Sequence, residues 1–598
     1  MLNIRIIYIC CLILTFASCK MKDEITCYGG SDSDLVQLLE KEGYTLKFYP
    51  SVSEALQNAP EKSGVLLLSD SYPVKGTSIS QEDESLIEAK SLRVLVEFPQ
   101  RIGTTDSSKS DTLNLERIVV CDSINTELPF MSLLSFNRCI LKETSDSINH
   151  PILVAAKVAG FDKAVYGLKD TETRPVLYYR TPHLLVSTTC ISHFASDRYM
   201  PEQKIKSLYE YIFRWLLSKN TVTFSSWITY ITPSYTPSDV LPENAGYESI
   251  KKGIEWFYNG HFLVNSEWKQ NWVDKYMGDG TMPIGPSIPD QFQNGDGSLG
   301  VLEGHMSEIR YDGSQLYRYW MRADVQGEAS YAFAAAGDLL ENNEYSKVAT
   351  NLIDYSFKEY RDSERNDPAS PSYGLLGWAY THKGTYYGDD NARFLLGVIA
   401  SSALLNDTEW DKKIAEGIIG NFRTTGINGF RGGSLLDTDI QKRGWKSFYD
   451  NNTVNLHAHF EAWNWACYLW LYNQTQYEPL LERSKKALSM MMASYPEQWS
   501  WTNGIQQERA RMILPLAWLY RVEPTEEHLK WLHYMTNELL KNQVTCGGIR
   551  EELGDESKSS FGHSPSNEAY GSTEASLIFD NGDPVADMLY TTNFAFVG

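Results

Sequence analysis

Two adjacent carboxylates open an apolar stretch beyond the middle of the chain: Tyr386-Tyr387-Gly388-Asp389-Asp390-Asn391-Ala392-Arg393 runs directly into Phe394 to Leu405. One acidic residue at a helix start satisfies orphan backbone N–H groups and complements the helix dipole. Two are more than a cap needs. The stretch behind them has small residues interspersed and no polar face, so it reads as a helix surrounded by other helices. A doubled carboxylate there, with Arg393 one turn on, suits a polar site at the mouth of a helical core. An N-cap with a structural ion pair fits the same residues, because such pairs imitate functional clusters. Asp389 is the better N-cap. Asp390 falls in the first turn, where the helix terminus lowers a carboxylate's pKa, so it is expected to be ionised, a base or nucleophile.

The elements that must hold this stretch follow from the rest of the chain. Residues 1–19 read as a targeting segment: Arg5, an apolar run from Ile6 to Phe16 too short to span a bilayer, then Ala17-Ser18-Cys19. It resembles a bacterial lipoprotein signal, which implies lipid on Cys19 and an exported, membrane-anchored protein, periplasmic or at the cell surface. The formal net charge of −22 over 598 residues argues against a nucleic-acid partner. The six cysteines after Cys19 are scattered with no C-x-x-C pair, so no metal or cofactor site is expected, although a disulfide fits an exported protein.

Over 26–220, β-rich runs at Thr45 to Tyr49, Val65 to Leu68, Arg93 to Phe98, Arg117 to Cys121 and Leu184 to Thr189 alternate with helical patterns. That predicts an α/β domain with a mostly parallel sheet, similar to amidotransferase-like or ThuA-like Rossmannoid folds. Neither Cys121 nor Cys190 has the flanking glycines of a nucleophile turn, and Ser192-His193 is a weak substitute, so this domain reads as non-catalytic. Residues 221–243, with Pro233, Pro237 and Pro242, read as a linker. From 244 to 598 the pattern is all-α. Helices apolar nearly all round (Ala329 to Leu340, Phe394 to Leu405, Phe460 to Tyr472, Met512 to Tyr520) alternate with striped ones such as Trp410-Ile414-Ile418-Phe422. Buried inner helices each paired with an amphipathic outer one make an (α/α) toroid. About ten helices are legible, where the six-hairpin toroids that the local sequences below resemble have about twelve in a closed ring. The chain is therefore expected to lack a last hairpin, which bears on whether it is active as written.

Several local sequences resemble six-hairpin (α/α)6 toroid glycosidases: Tyr387 to Arg393, Gln507 to Trp518, Gly548 to Glu552, Asn567 to Gly571 and Asp587 to Phe594. The resemblance is to glycoside hydrolase family 154, exo-acting β-glucuronidases with an amidotransferase-like domain ahead of the toroid. It implies a hydrolase that removes a terminal uronic acid, β-linked glucuronate, from a complex glycan. In such a toroid the substrate sits at the N-terminal ends of the inner helices. Glycoside hydrolysis needs one carboxyl as acid and one as base or nucleophile. Asp390 and Glu508 are the expected pair, Glu508 as the acid, with Glu328 and Glu551 in reserve. Arg393, Arg322 or Arg550 would hold the uronate carboxylate in an arginine fork. His457, His459, Tyr387 and Tyr570 are the remaining substrate-binding candidates. His457 and His459 fit a cap with one buried, hydrogen-bonded histidine, or a substrate contact, better than a metal pair, for which no third ligand has suitable spacing. They keep open a polysaccharide lyase or sugar epimerase on the same toroid, whose proton abstraction calls for a His, Tyr or Lys base. A glycan-binding lipoprotein without turnover is the third reading, and oligomeric state is not legible.

Overall fold

The computed structural model describes residues 23–572 and 588–598, except 108, 137, 145–147, 149 and 237. The targeting segment and Cys19 lie outside the described residues. The chain divides into two compact units, the first running to Ser234 with Ile309–Ser314 and Pro565–Gly571, the second comprising Tyr235–Glu308, Gln315–Ser564 and Ser572–Gly598.

The first unit is built on a nine-stranded mixed sheet of β1 (Glu24–Tyr28), β2 (Thr45–Phe48), β3 (Gly64–Leu67), β4 (Arg93–Glu97), β5 (Arg117–Val120), β6 (Leu133–Leu134), β7 (Leu153–Ala156), β8 (Thr173–Thr181) and β9 (Leu184–Ser187). Its order is β6-β5-β7-β8-β9-β4-β3-β1-β2. The pairs from β2 to β9 are parallel, and those from β9 to β6 are antiparallel. The expectation of a mostly parallel sheet is therefore corrected to half. Between β5 and β9 the chain returns without helical crossovers, which parallel pairing requires. Helices α1 (Asp34–Lys41), α2 (Val52–Asn58) and α3 (Gln81–Ala89) start at Ser33, Ser51 and Ser80, each of whose hydroxyls accepts a first-turn N–H. Helix α4 (Glu202–Leu216) closes the fold, and Val222, Phe224, Trp227 and Ile228 are buried with it. The expected linker thus begins as core, since burying those apolar side chains outweighs the freedom of a loose segment. Cys190 is fully buried, its thiol raised by burial, and Ser192 donates its hydroxyl to the buried Glu97 at 2.9 Å. Neither group is presented as a nucleophile.

The second unit is helical. Long inner helices α6 (Ala323–Leu339), α8 (Gly388–Leu405), α10 (Ala458–Thr475), α12 (Ile505–Val522) and α14 (Met588–Val597) pack in succession, each on the next, as an arc. The outer helices α7 (Asn343–Glu359), α9 (Asp411–Arg423), α11 (Glu478–Ser494) and α13 (Glu526–Leu540) each pack on the inner helix before them, and α5 (Ala245–Asn259) packs on α6. One continuous apolar core joins inner and outer layers. The closest packing is between α6 and α8. A Cβ on Gly397 would stand 2.3 Å from the Gly327 carbonyl oxygen, and one on Gly327 would stand 2.5 Å from Phe394 Cα. Two glycines bring these backbones into direct contact, and their first turns with them.

Candidate active site

The N-terminal turns of four successive inner helices bring together a cluster of charged residues. Arg322 precedes α6 and Asp324 lies in its first turn; Asp389, Asp390 and Arg393 open α8; His457 and His459 open α10; Glu508 and Arg511 open α12. The loops ahead of them are tied down. Asn391 uses its side-chain amide to bind both the N–H and the C=O of Leu376, at 2.9 Å each, while Ala323 N–H donates to Trp378 C=O at 3.0 Å. Strand β10 (Thr385–Tyr387) pairs antiparallel with β11 (Ser434–Leu436), fixing the entry to α8. The loop before β11 is held by Glu461, which accepts from Arg431 N–H at 2.9 Å, Gly432 N–H at 2.7 Å and Asn455 at 2.9 Å. Burial pushes Glu461 up to about 7, against the lowering effect of those donors.

Within this frame Asp389 and Asp390 point into different company. Asp389 lies 3.3 Å from His459 Nε2. Burial alone would raise it, but the His459 contact and the charges of Arg511 and Arg393 outweigh that and hold it well below the carboxylate range. Asp390 is pushed well above that range by burial first, then by the negative charges of Asp324 and Asp389, with Arg322 at 3.7 Å opposing. Asp390 therefore carries a proton where the helix terminus alone leads one to expect an ionised base. Glu508 reverses in the opposite sense. Burial would raise it, but His457 Nε2 at 3.5 Å, the His459 backbone N–H and the Arg511 charge keep it ionised. The proton assignment drawn from the sequence is corrected at both residues, because partners on other helices outweigh the local terminus.

Other expected residues have different work. Arg393 grips Glu328 with two parallel bonds of 2.7 and 2.8 Å and reaches Asp324 at 2.6 Å, so its fork is already filled by the protein's own carboxylates. Arg322 faces Glu303 at 2.8 Å and Asp324 at 3.5 Å as well as Asp390. Glu328 is thus an ion-pair partner and not an unengaged catalytic acid. Glu551 accepts from Gln506 N–H at 2.9 Å and from the Thr591 hydroxyl at 3.2 Å, tying the start of α12 to α14. Arg550 lines a separate pocket of about 600 Å³ with Lys541, Glu552 and His563. Tyr570 belongs to the first unit, where its ring lies under the Arg117 guanidinium at 4.2 Å. Tyr570 thus falls in a different unit from the Asp389–Asp390 cluster.

Tyr387 does join it, as part of an aromatic row. Half-buried Trp320, Trp378, Tyr387 and Phe460 follow one another with centroid separations of 5.3, 5.0 and 6.5 Å, and Phe460 stands beside both histidines. Such a row, beside buried carboxyls, offers the flat faces on which a sugar ring's C–H surface stacks. Two partners join the expected catalytic and binding set: Asp324, which the sequence places in the first inner helix among the residues to weigh, and Glu303, which it does not single out. Asp324 is fully buried between Arg322 and Arg393, and Glu303 comes from a segment with no motif at all. Asp324 carried a usable signal: like Asp390 it opens a helix that is apolar all round.

No protein-family model matches the chain, and no curated protein matches it in sequence. Among solved structures, it is similar to a D-mannose isomerase at 11% identity and a TM-score of 0.35, covering 61% of this chain and 98% of that one. A family 76 glycoside hydrolase from a bovine Bacteroides thetaiotaomicron strain matches at 10% identity and 0.32, covering 46% and 56%. An unsaturated glucuronyl hydrolase from Bacillus sp. GL1 matches at 13% and 0.28, covering 41% and 69%. At these identities and TM-scores neither the fold nor the reaction of this chain is inferred from them.

Proposed function

We propose that this chain is a glycan-processing hydrolase, with Asp390 protonating the departing glycosidic oxygen and Asp389 acting as the base or nucleophile. The observation that carries this reading is a pair of adjacent buried carboxyls with different partners: Asp389 lies 3.3 Å from His459 Nε2, while Asp390 shares the Arg322 guanidinium with Asp324. Acid and base assignments follow wherever environments separate two titratable groups in this way. The aromatic row supplies a sugar-stacking surface next to them.

The terminal uronic acid expected from the sequence, β-glucuronate in particular, fits the charge balance less well than a neutral sugar. The carboxylates of Glu303, Asp324, Glu328, Asp389 and Glu508 share the cluster with the guanidinium groups of Arg318, Arg322, Arg393 and Arg511, with the Asp390 carboxyl neutral beside them. A uronate would add a negative charge to that surplus and would have to displace Glu328 or Asp324 from Arg393. The test is hydrolysis of matched neutral and glucuronide aryl glycosides by the full chain. Release from the neutral set supports the reading; release from the glucuronide alone restores the uronate; binding without release from either points to a glycan-binding protein and removes the hydrolase.

A second reading has one observation in its favour. His459 faces Asp389, is held neutral by burial and by Arg511, and its buried Nδ1 has no hydrogen-bond partner among the described residues. A neutral, carboxylate-backed histidine is the base that a sugar epimerase or lyase requires. Incorporation of solvent deuterium into a recovered sugar, or an unsaturated product, would select it over hydrolysis.

A further inference from the structure

We infer that Asp324 is a positioning residue for Asp390: clamped between two arginines at the start of α6, it is the fixed negative neighbour that keeps the Asp390 carboxyl in its proton-carrying form. This rests on the reading of Asp390 as the acid.

The geometry is set by backbone packing. Gly327 and Gly397 press α6 and α8 together, so the first turn of one helix lies against the first turn of the other. Asp324, with no exposed surface, lies 2.6 Å from Arg393 Nη1 and 3.5 Å from Arg322 Nη2. The same Arg322 guanidinium stands 3.7 Å from Asp390 Oδ1. One cation therefore faces both carboxyls, and each of the two nearby arginines already has another carboxylate: Glu303 on Arg322, and Glu328 on Arg393. Asp390 Oδ1 is buried and accepts no hydrogen bond among the described residues, and the Arg322 cation it faces at 3.7 Å is shared with Asp324 and Glu303.

The charged groups around Asp390 come from every helix that meets there. Its own helix gives Asp389 and Arg393, and α6 with its preceding residue gives Asp324 and Arg322. Helices α10 and α12 contribute through Asp389, which His459 and Arg511 keep ionised. Asp389 is paired with His459, and Asp324, held by Arg393 and Arg322, is the negative neighbour that α6 brings to Asp390. Two carboxylates sharing a site cannot both ionise cheaply, and the one with fewer partners keeps the proton.

The experiment is a carbon-13 NMR titration of full-length protein labelled at aspartate carboxyl carbons, the Asp390 signal being the one lost in Asp390→Asn. It uses no substrate, so its outcome is separable from that of the glycoside assays. Wild-type Asp390 is expected to stay protonated above the ordinary aspartate range. Asp324→Asn is expected to lower its midpoint by about one pH unit or more, and Asp324→Glu to restore it. If Asp324→Asn does not melt cooperatively, Asp324→Asn with Arg322→Gln takes its place, and its Asp390 midpoint is expected to lie below that of Arg322→Gln alone. An unchanged midpoint in Asp324→Asn, or in that double comparison, overturns the inference and leaves Asp324 as a structural counter-ion. A wild-type Asp390 that titrates as an ordinary aspartate overturns it as well.

Discussion

At the residue scale the site is a set of carboxyl groups whose protonation is settled by tertiary neighbours. Asp390 and Asp389 give the first prediction. A general acid with a raised pKa works while protonated, so kcat/KM should fall as pH rises through the Asp390 value. It should fall at the other end only where pH drops through the depressed value of Asp389, below the range of an ordinary aspartate. Asp390→Asn should remove the alkaline limb and cost about two to four orders of magnitude in kcat on a disaccharide. The loss should be smaller on an aryl glycoside, whose leaving group needs less protonation. Equal losses on both substrates would deny Asp390 the acid's role. A second prediction concerns Glu461. Its folded value of about 7 lies above the unfolded one, so the stability it contributes is fully present below the unfolded value, near pH 4.5, and is lost as pH rises through about 7. Melting of the wild type should therefore drop from pH 6 to pH 8, and Glu461→Gln should flatten that dependence; parallel melting curves would remove Glu461 as its source. None of these shifts was legible in sequence. The local rule made Asp390 ionised by its helix terminus, and what overrides it includes a carboxylate on a different helix. Likewise Glu508 looked like a buried acid until the His457 imidazole, the His459 backbone N–H and the Arg511 charge met its carboxylate.

At the element scale more could be read, because burial writes itself into periodicity. Helices destined for the inner layer are apolar on all faces, and outer ones carry a stripe, so Phe394 to Leu405 and the Trp410-Ile414-Ile418-Phe422 stripe announce α8 and α9 directly. What periodicity does not encode is which helices touch most closely. That information sits in two glycines whose role appears only when α6 and α8 are side by side. Gly397→Ala should create an overpacked contact costing about 1–3 kcal/mol, read as a lowered melting temperature. Because the same contact holds Asp324 beside Asp390, activity at a temperature where the variant is fully folded should fall as well. A variant that melts lower but retains full activity would separate packing from catalysis. The sheet shows the opposite limit of legibility. Strand β8 contains Pro175, which argues against a central strand, yet β8 lies inside the sheet between β7 and β9. The register against β7 shifts between Leu153 and Val154, the latter opposite Pro175, so a bulge accommodates the missing N–H. No sequence pattern in that region discloses the bulge, and without it the antiparallel half of the sheet stays hidden.

For the whole molecule, the sequence's charge and its amino-terminal segment combine into a prediction about attachment. None of the described helices is long and apolar enough to cross a membrane. With a formal net charge of −22 and a pI near 5.0, the chain as a whole is repelled by anionic lipid headgroups and offers no general electrostatic hold. A single acyl chain gives only marginal, reversible binding, and stable anchoring takes a second chain or a polybasic patch. Net charge offers no such hold, and the proposed anchor at Cys19 is therefore expected to carry more than one acyl chain. Three results are expected. The mature protein should carry label from a radioactive fatty acid, stay in the membrane fraction through high-salt and carbonate washes, and leave it only in detergent. Cys19→Ala should abolish labelling and move the protein to the soluble fraction, while glycoside turnover by the released chain is expected to be unchanged, since every residue of the proposed site belongs to the second unit. Retention of the unlabelled Cys19→Ala protein on washed membranes would place the attachment elsewhere. Release of the wild type by salt alone would show that charge, rather than lipid, holds it there.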